Sequence, residues 1–161
     1  MKKIDTLGSK KRLIYFFFKR LQVSIINYIY NNIDNQYLFI LSPPFSGSTL
    51  LNQIISSSKH VSCNNTIGLR EGQHLPIVKD ILFTKDRWDP KKEINWSYIH
   101  KIWKKYWVKS KSIFLEKSPP NICRAKHIED EFKPAKFICL VRNPYAQAEG
   151  SLRRYKRSAK E

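Results

Sequence analysis

A chain of 161 residues, 42% hydrophobic and 13% aromatic, is long and apolar enough for one domain with a real core, which excludes a disordered chain. Its net charge of +17, from 30 Lys and Arg against 13 Asp and Glu, favours an anionic partner: nucleic acid, a membrane surface, or a phosphorylated or sulfated ligand. Cys63, Cys123 and Cys139 stand in no metal-binding spacing, which argues against a zinc or iron–sulfur site and points to reduced, buried thiols in a cytoplasmic protein.

The first twelve residues are basic (Lys2, Lys3, Lys10, Lys11, Arg12), and the apolar run Leu13 to Phe18 follows them as in a secretion signal. Lys19 and Arg20 close that run too early for a signal core or a membrane span, and no small-residue cleavage site follows. Leu13, Phe16, Phe17, Leu21, Ile25, Tyr28 and Ile29 recur near helical spacing and predict an amphipathic helix to about Asn31. Such a helix packs on the domain, the commoner case, or makes peripheral contact with a membrane surface. Residues 1–36 thus read as a basic segment and extra helix, and residues 37–161 as the main domain.

The turn cluster NNIDN leads into Tyr37 to Leu41, a short aromatic and aliphatic run that predicts a buried strand. SPPFSGST (Ser42 to Thr49) follows, and then Leu50, Leu51, Ile54 and Ile55 at helical spacing. A strand, a turn of small residues and a helix together aim backbone N–H groups and a helix N-terminus at an anion, normally a phosphate. Ser46, Ser48 and Thr49 add hydroxyls around Gly47, the residue free to take positive φ. The triphosphate-loop pattern fits only in part, because its first Gly falls on Ser42 and its Lys on Ser48. An ordinary strand–turn–helix with hydroxyl caps would read the same way.

His60 to Asn65 predicts a further short strand, and residues 66–76 a polar loop carrying Glu71 and His74. Read by itself, Glu71 in such a loop is a solvated carboxylate paired with Arg70. Residues 79–93 read as charged and irregular. Trp96, Ile99, Trp103, Tyr106 and Trp107 then line one helical face, with Lys101, Lys104, Lys105 and Lys109 largely opposite. That stripe reads as core rather than as a stacking platform for nucleic acid. Ser112 to Leu115 predicts a strand ending at Glu116-Lys117-Ser118-Pro119-Pro120, with a helix over 122–132 capped by Asn121. Lys136 to Val141 is the most continuously apolar strand, and for that reason is expected to be central and parallel. Arg142 stands at its end, and Pro144 opens a last helix over about 145–157.

SPPFSGSTLL resembles the 5′-phosphosulfate loop of sulfotransferases, and KFICLVRNPYAQAEGSLRR (136–154) resembles their 3′-phosphate element. Between them FLEKSPPN (114–121) resembles the Glu-Lys-Ser/Thr-Pro segment of the carbohydrate and protein-tyrosine branches. This resemblance implies a P-loop-like, three-layer α/β/α fold with a small, mostly parallel sheet. It implies a sulfuryl transfer from 3′-phosphoadenosine 5′-phosphosulfate to a hydroxyl acceptor, small molecule, carbohydrate or peptide, with no metal. By the same resemblance Ser46, Gly47, Ser48 and Thr49 hold the 5′-phosphosulfate, and Arg142 and Ser151 hold the 3′-phosphate. Lys117 neutralises the transferring group, and Glu71 (or its rival His74) takes the acceptor's proton.

The chain departs from that pattern at two positions. Phe45 stands where the family carries Arg or Lys, and Gly150 stands where it carries the 3′-phosphate serine, with Ser151 about 100° further round the helix. Family members also continue into a late basic loop, so the resemblance implies a chain lacking the C-terminal part of the fold. Two other readings stay open: a P-loop kinase or NTPase, argued against by the missing loop Lys, and a non-catalytic basic nucleic-acid-binding module, for which no signature motif is present.

Overall fold

Four short runs of aromatic and branched residues find one another in parallel register. In the computed structural model, which describes residues 9–31 and 33–158, the elements run α1 (Ser9–Ile29), β1 (Gln36–Leu41), α2 (Ser48–Ser56), β2 (Val61–Cys63), α3 (Val78–Leu82), α4 (Trp96–Trp103), β3 (Ile113–Glu116), α5 (Ala125–Glu131), β4 (Ala135–Cys139) and α6 (Pro144–Ser158). Lys2 and Lys3 lie outside the described residues. The sheet order is β2-β3-β1-β4 and every pairing is parallel. Parallel neighbours require crossovers, and the intervening helices supply them, which makes this an α/β fold.

Alternation along β1 divides the core into two layers, as a period of two requires. Tyr37, Phe39 and Leu41 face the larger cluster, with Ile99 and Trp103 of α4 and Ile128 and Phe132 at α5. Leu38 and Ile40 face the other way, toward Leu115, Val61 and the α2 residues Leu51 and Ile55. Tyr37 is a hub: its ring meets Trp107, Phe114 and Phe132, and its hydroxyl pairs with Nε2 of His100 at 2.8 Å. The Trp96–Trp107 stripe is core, as its spacing predicts, while Lys101, Lys104 and Lys105 are exposed.

Four expectations are corrected. Among the described residues the apolar run of β4 lies at the edge of the sheet, paired only with β1, and its side chains are half-buried or exposed. Cys139 is therefore exposed and Cys123 half-buried; only Cys63 is buried. Residues 78–82 form a helical turn inside a stretch expected to be irregular, because Val78 and Leu82 both reach the core. Asn121 caps no helix: it lies in a 3-10 segment, Pro119–Arg124, with its side chain drawn inward.

The extra N-terminal helix is present, but it packs with a different face from the one its periodicity suggests. Phe16 and Val23 are buried, and Tyr15, Lys19 and Asn27 hydrogen-bond to Thr66, to the carbonyls of Cys63 and Asn64, and to that of Trp107. Of the predicted stripe only Phe16 packs on the domain. Among the described residues no helix is long and apolar enough to cross a membrane.

Candidate active site

In an open parallel sheet the C-terminal ends of the strands share one edge, where ligands bind. Here β1 ends at the 42–47 loop, β3 at Lys117 and β4 just before Arg142. The order β3-β1-β4 therefore sets the loop between Lys117 on one side and Arg142 on the other, with neighbouring strands about 5 Å apart.

The loop is wound for close approach. Gly47 takes φ 90° as the residue before α2, and Phe45 is held at φ 63°. Ser46 donates to the carbonyl of Pro43 at 2.8 Å and closes the turn. Leu50 and Leu51 both donate to the Gly47 carbonyl. The N–H groups of Gly47, Ser48 and Thr49 then stand at the helix start without intrahelical partners, at the positive end of the helix dipole.

Lys117 ties this loop to the opposite wall. Its side chain is 1% exposed, and its ammonium donates to Thr49 Oγ1 at 3.2 Å and to Glu71 Oε1 at 2.9 Å. Glu71 is buried too. Its second oxygen accepts from Gln73 Nε2 at 2.5 Å and lies 3.2 Å from His74 Nε2. Three sequence-predicted residues, Thr49, Glu71 and Lys117, thus form one connected cluster from three separate segments, joined by His74. Arg70 does not pair with Glu71; its guanidinium turns to Asn52 and Ser56. Burial pushes the Glu71 carboxyl up, but the His74 hydrogen bond, the Lys117 charge and the Gln73 hydrogen bond outweigh it and hold the group below its ordinary value. It is ionised at neutral pH. With Nε2 turned to Glu71, His74 Nδ1 is buried and has no hydrogen-bond partner among the described residues.

Glu116 is the residue that sequence reasoning passed over. It is fully buried and accepts from Gly72 N–H at 2.9 Å, from Ser118 Oγ at 2.6 Å and from the Asn121 amide. Ser118 Oγ in turn accepts from the Gln73 N–H at 3.0 Å. Glu116 therefore pins the segment carrying Glu71, Gln73 and His74 onto the end of β3. A Cβ on Gly72 would stand 2.6 Å from both Glu116 Oε1 and Asn64 Nδ2, so the approach requires glycine. Burial raises the Glu116 carboxyl to about 7, although Ser118, Gly72 and Lys117 all pull it down. The available signal was Glu immediately before Lys117, two residues before a serine; nothing local reveals a partner at Gly72.

Arg142 stands exposed at the other side of the loop, where its Nη1 donates to the Phe45 carbonyl at 2.8 Å. Gln147 Nε2 donates to the Pro44 carbonyl at 3.0 Å, so α6 is stitched to the loop from two positions. The Phe45 side chain lies against Gly150, where an added Cβ would be 3.6 Å away. Position 150 faces the loop, and Ser151 follows it round the helix, half-buried. The two departures from the sulfotransferase pattern thus touch each other: an apolar ring rests on a glycine.

The sulfotransferase family model matches residues 37–160, from the first residue of the opening strand's apolar run to the end of the chain's basic helix and beyond it. No curated protein and no solved structure matches the chain.

Proposed function

The chain belongs to the sulfotransferase family, and we propose that it moves a sulfuryl group from 3′-phosphoadenosine 5′-phosphosulfate to a hydroxyl acceptor. The observation that carries this reading is the single buried ammonium of Lys117, which touches both the anion loop at Thr49 and the carboxylate of Glu71. A sulfuryl group bound on the loop would lie within reach of both.

In this reading the N–H groups at 46–49 hold the 5′-phosphosulfate, and Arg142 holds the 3′-phosphate through the part of its guanidinium that does not bond to Phe45. Ser151 is the weaker part of the assignment, since Gly150 takes the loop-facing position. The acceptor oxygen forms a bond to sulfur in line with the bridging oxygen. The bridging S–O bond breaks with its electron pair left on the 5′-phosphate, and the acceptor's proton passes to Glu71. Lys117 stabilises the charge that spreads over the peripheral sulfuryl oxygens. Both catalytic charges are prepaired and buried, so little reorganisation is needed at the moment of transfer.

A second reading rests on His74 Nδ1, which is buried and unbonded among the described residues. Three hydrogen-bonding partners already surround Glu71, so Glu71 would orient His74 through Nε2 while Nδ1 accepts the proton, as a carboxylate orients a histidine base. The acceptor is a small-molecule, carbohydrate or peptide hydroxyl.

The test is release of the 3′,5′-bisphosphate product from the phosphosulfate donor in the presence of a panel of hydroxyl acceptors. Glu71→Gln and His74→Gln should each keep product-nucleotide affinity; loss of turnover by orders of magnitude in Glu71→Gln alone makes Glu71 the base, and loss in both makes His74 the base that Glu71 orients. Turnover unaffected in both would remove this cluster from the mechanism.

A further inference from the structure

The outer face of α1 is a feature that the proposed transfer leaves unused. Its inner face is fixed from Arg12 to Asn27 of the 21-residue helix. Arg12 donates to the His74 carbonyl, Tyr15 pairs with Thr66, Phe16 meets Tyr106, and Lys19 and Asn27 bond to backbone. Those positions recur every three or four residues and define one side. At 100° per residue the opposite arc carries Ile14, Phe17, Phe18, Leu21, Ile25 and Tyr28. All six are exposed, Phe17 at 65%, Phe18 at 61% and Tyr28 at 92%. A helix that is packed on one side and apolar on the other is unusual in water, because a contiguous exposed apolar stripe marks an interaction surface.

We propose that this stripe seats the protein on an anionic membrane surface, with α1 lying in the plane of the interface. Charge selects that occupant. The helix contains no Asp or Glu, Lys10, Lys11 and Arg20 stand exposed at its N-terminal end and flank, and the chain as a whole carries +17. Two such copies would repel each other across a shared stripe, whereas anionic headgroups attract the flanking cations. The arc also offers almost no polar side chain to read a protein partner, and a lipid interface needs none. The helix does not insert end-on: Lys19 and Arg20 lie mid-helix and the inner face stays docked on the domain. The docked face meets the segment 64–74 that carries Glu71, so the membrane would lie beside the candidate site. The proposal does not depend on the donor assignment.

The experiment is co-sedimentation of the full chain with vesicles of phosphatidylcholine mixed with phosphatidylglycerol, against phosphatidylcholine alone and over a salt series. The expected result is binding to the anionic vesicles that weakens with salt. The uncharged triple variant Phe17→Ser, Phe18→Ser, Ile25→Ser should lower the partition coefficient roughly tenfold or more, with circular dichroism and thermal midpoint intact. Those side chains are outside the core, so the variant keeps its fold. Three results overturn the proposal: folded wild-type protein left in the supernatant, equal binding by the variant (charge alone), or a wild-type dimer in light scattering that the variant makes monomeric.

Discussion

The pH dependence of stability offers a sharp check on the buried scaffold behind the candidate site. Glu116 is fully buried, and burial raises its carboxyl from 4.5 to about 7. A carboxyl raised by folding favours the native state while it is protonated. Its contribution is complete below 4.5 and is lost as pH climbs through about 7. A shift of about 2.5 pH units at about 1.4 kcal/mol per unit predicts that Glu116 withdraws roughly 3 kcal/mol of stability between pH 4.5 and 8. Glu116→Gln keeps an oxygen for Gly72 and Ser118, and the Asn121 amide can turn to accept from the new NH2. The variant should therefore fold and lack this loss.

The assay is urea unfolding at pH 5 and pH 8 for both proteins, read as the difference of differences. Other groups cancel in that comparison: Glu71, held low, acts below its ordinary value, and His100, lowered by burial, acts on the acid side of 6.5 in both proteins. Equal slopes in the two proteins would refute the reasoning, and would mean that the three donors around Glu116 hold it ionised as well as water does.

Other perturbations have equally definite outcomes. We predict that Lys117→Met leaves Glu71 buried without its cation, costs about 3–5 kcal/mol in chemical unfolding, and moves the Glu71 carboxyl resonance to titrate at higher pH. Gly72→Ala should cost about 1–3 kcal/mol, because its Cβ would meet Glu116 and Asn64 at 2.6 Å; an unchanged thermal midpoint would show that the 70–74 segment shifts freely. Arg142→Ala should weaken binding of the bisphosphate nucleotide by about tenfold to a hundredfold while leaving stability within about 0.5 kcal/mol, since the side chain is exposed.

Much of this arrangement could be read along the chain. The strand–turn–helix at 37–56 and the aromatic stripe at 96–107 follow from local periodicity, and local periodicity survives folding. The placements of β4 and α1 did not follow, for one physical reason. The apolar run of β4 signals burial on the faces of a strand, but not whether another strand pairs on its far side, which only long-range order decides. The apolar arc of α1 signals a helix, yet Arg12, Tyr15, Lys19 and Asn27 dock by hydrogen bonds to distant backbone, and hydropathy does not register such contacts. The site divides the same way. The resemblance marks Glu71 and Lys117, but their contact spans 46 positions, and the role of Glu116 depends on Gly72, 44 positions away. The rival notion of Glu71 as a solvated partner of Arg70 gives way to a buried carboxylate bound to Lys117.

We propose that the edge formed by the 42–49 loop, Lys117 and Arg142 holds the donor nucleotide. Calorimetric titration of the full chain with 3′-phosphoadenosine 5′-phosphate, with AMP and ATP as controls, tests it most directly. Binding should prefer the bisphosphate over both controls and be weakened by Arg142→Ala. A folded protein that binds none of the three, or binds ATP as well as the bisphosphate, would contradict it.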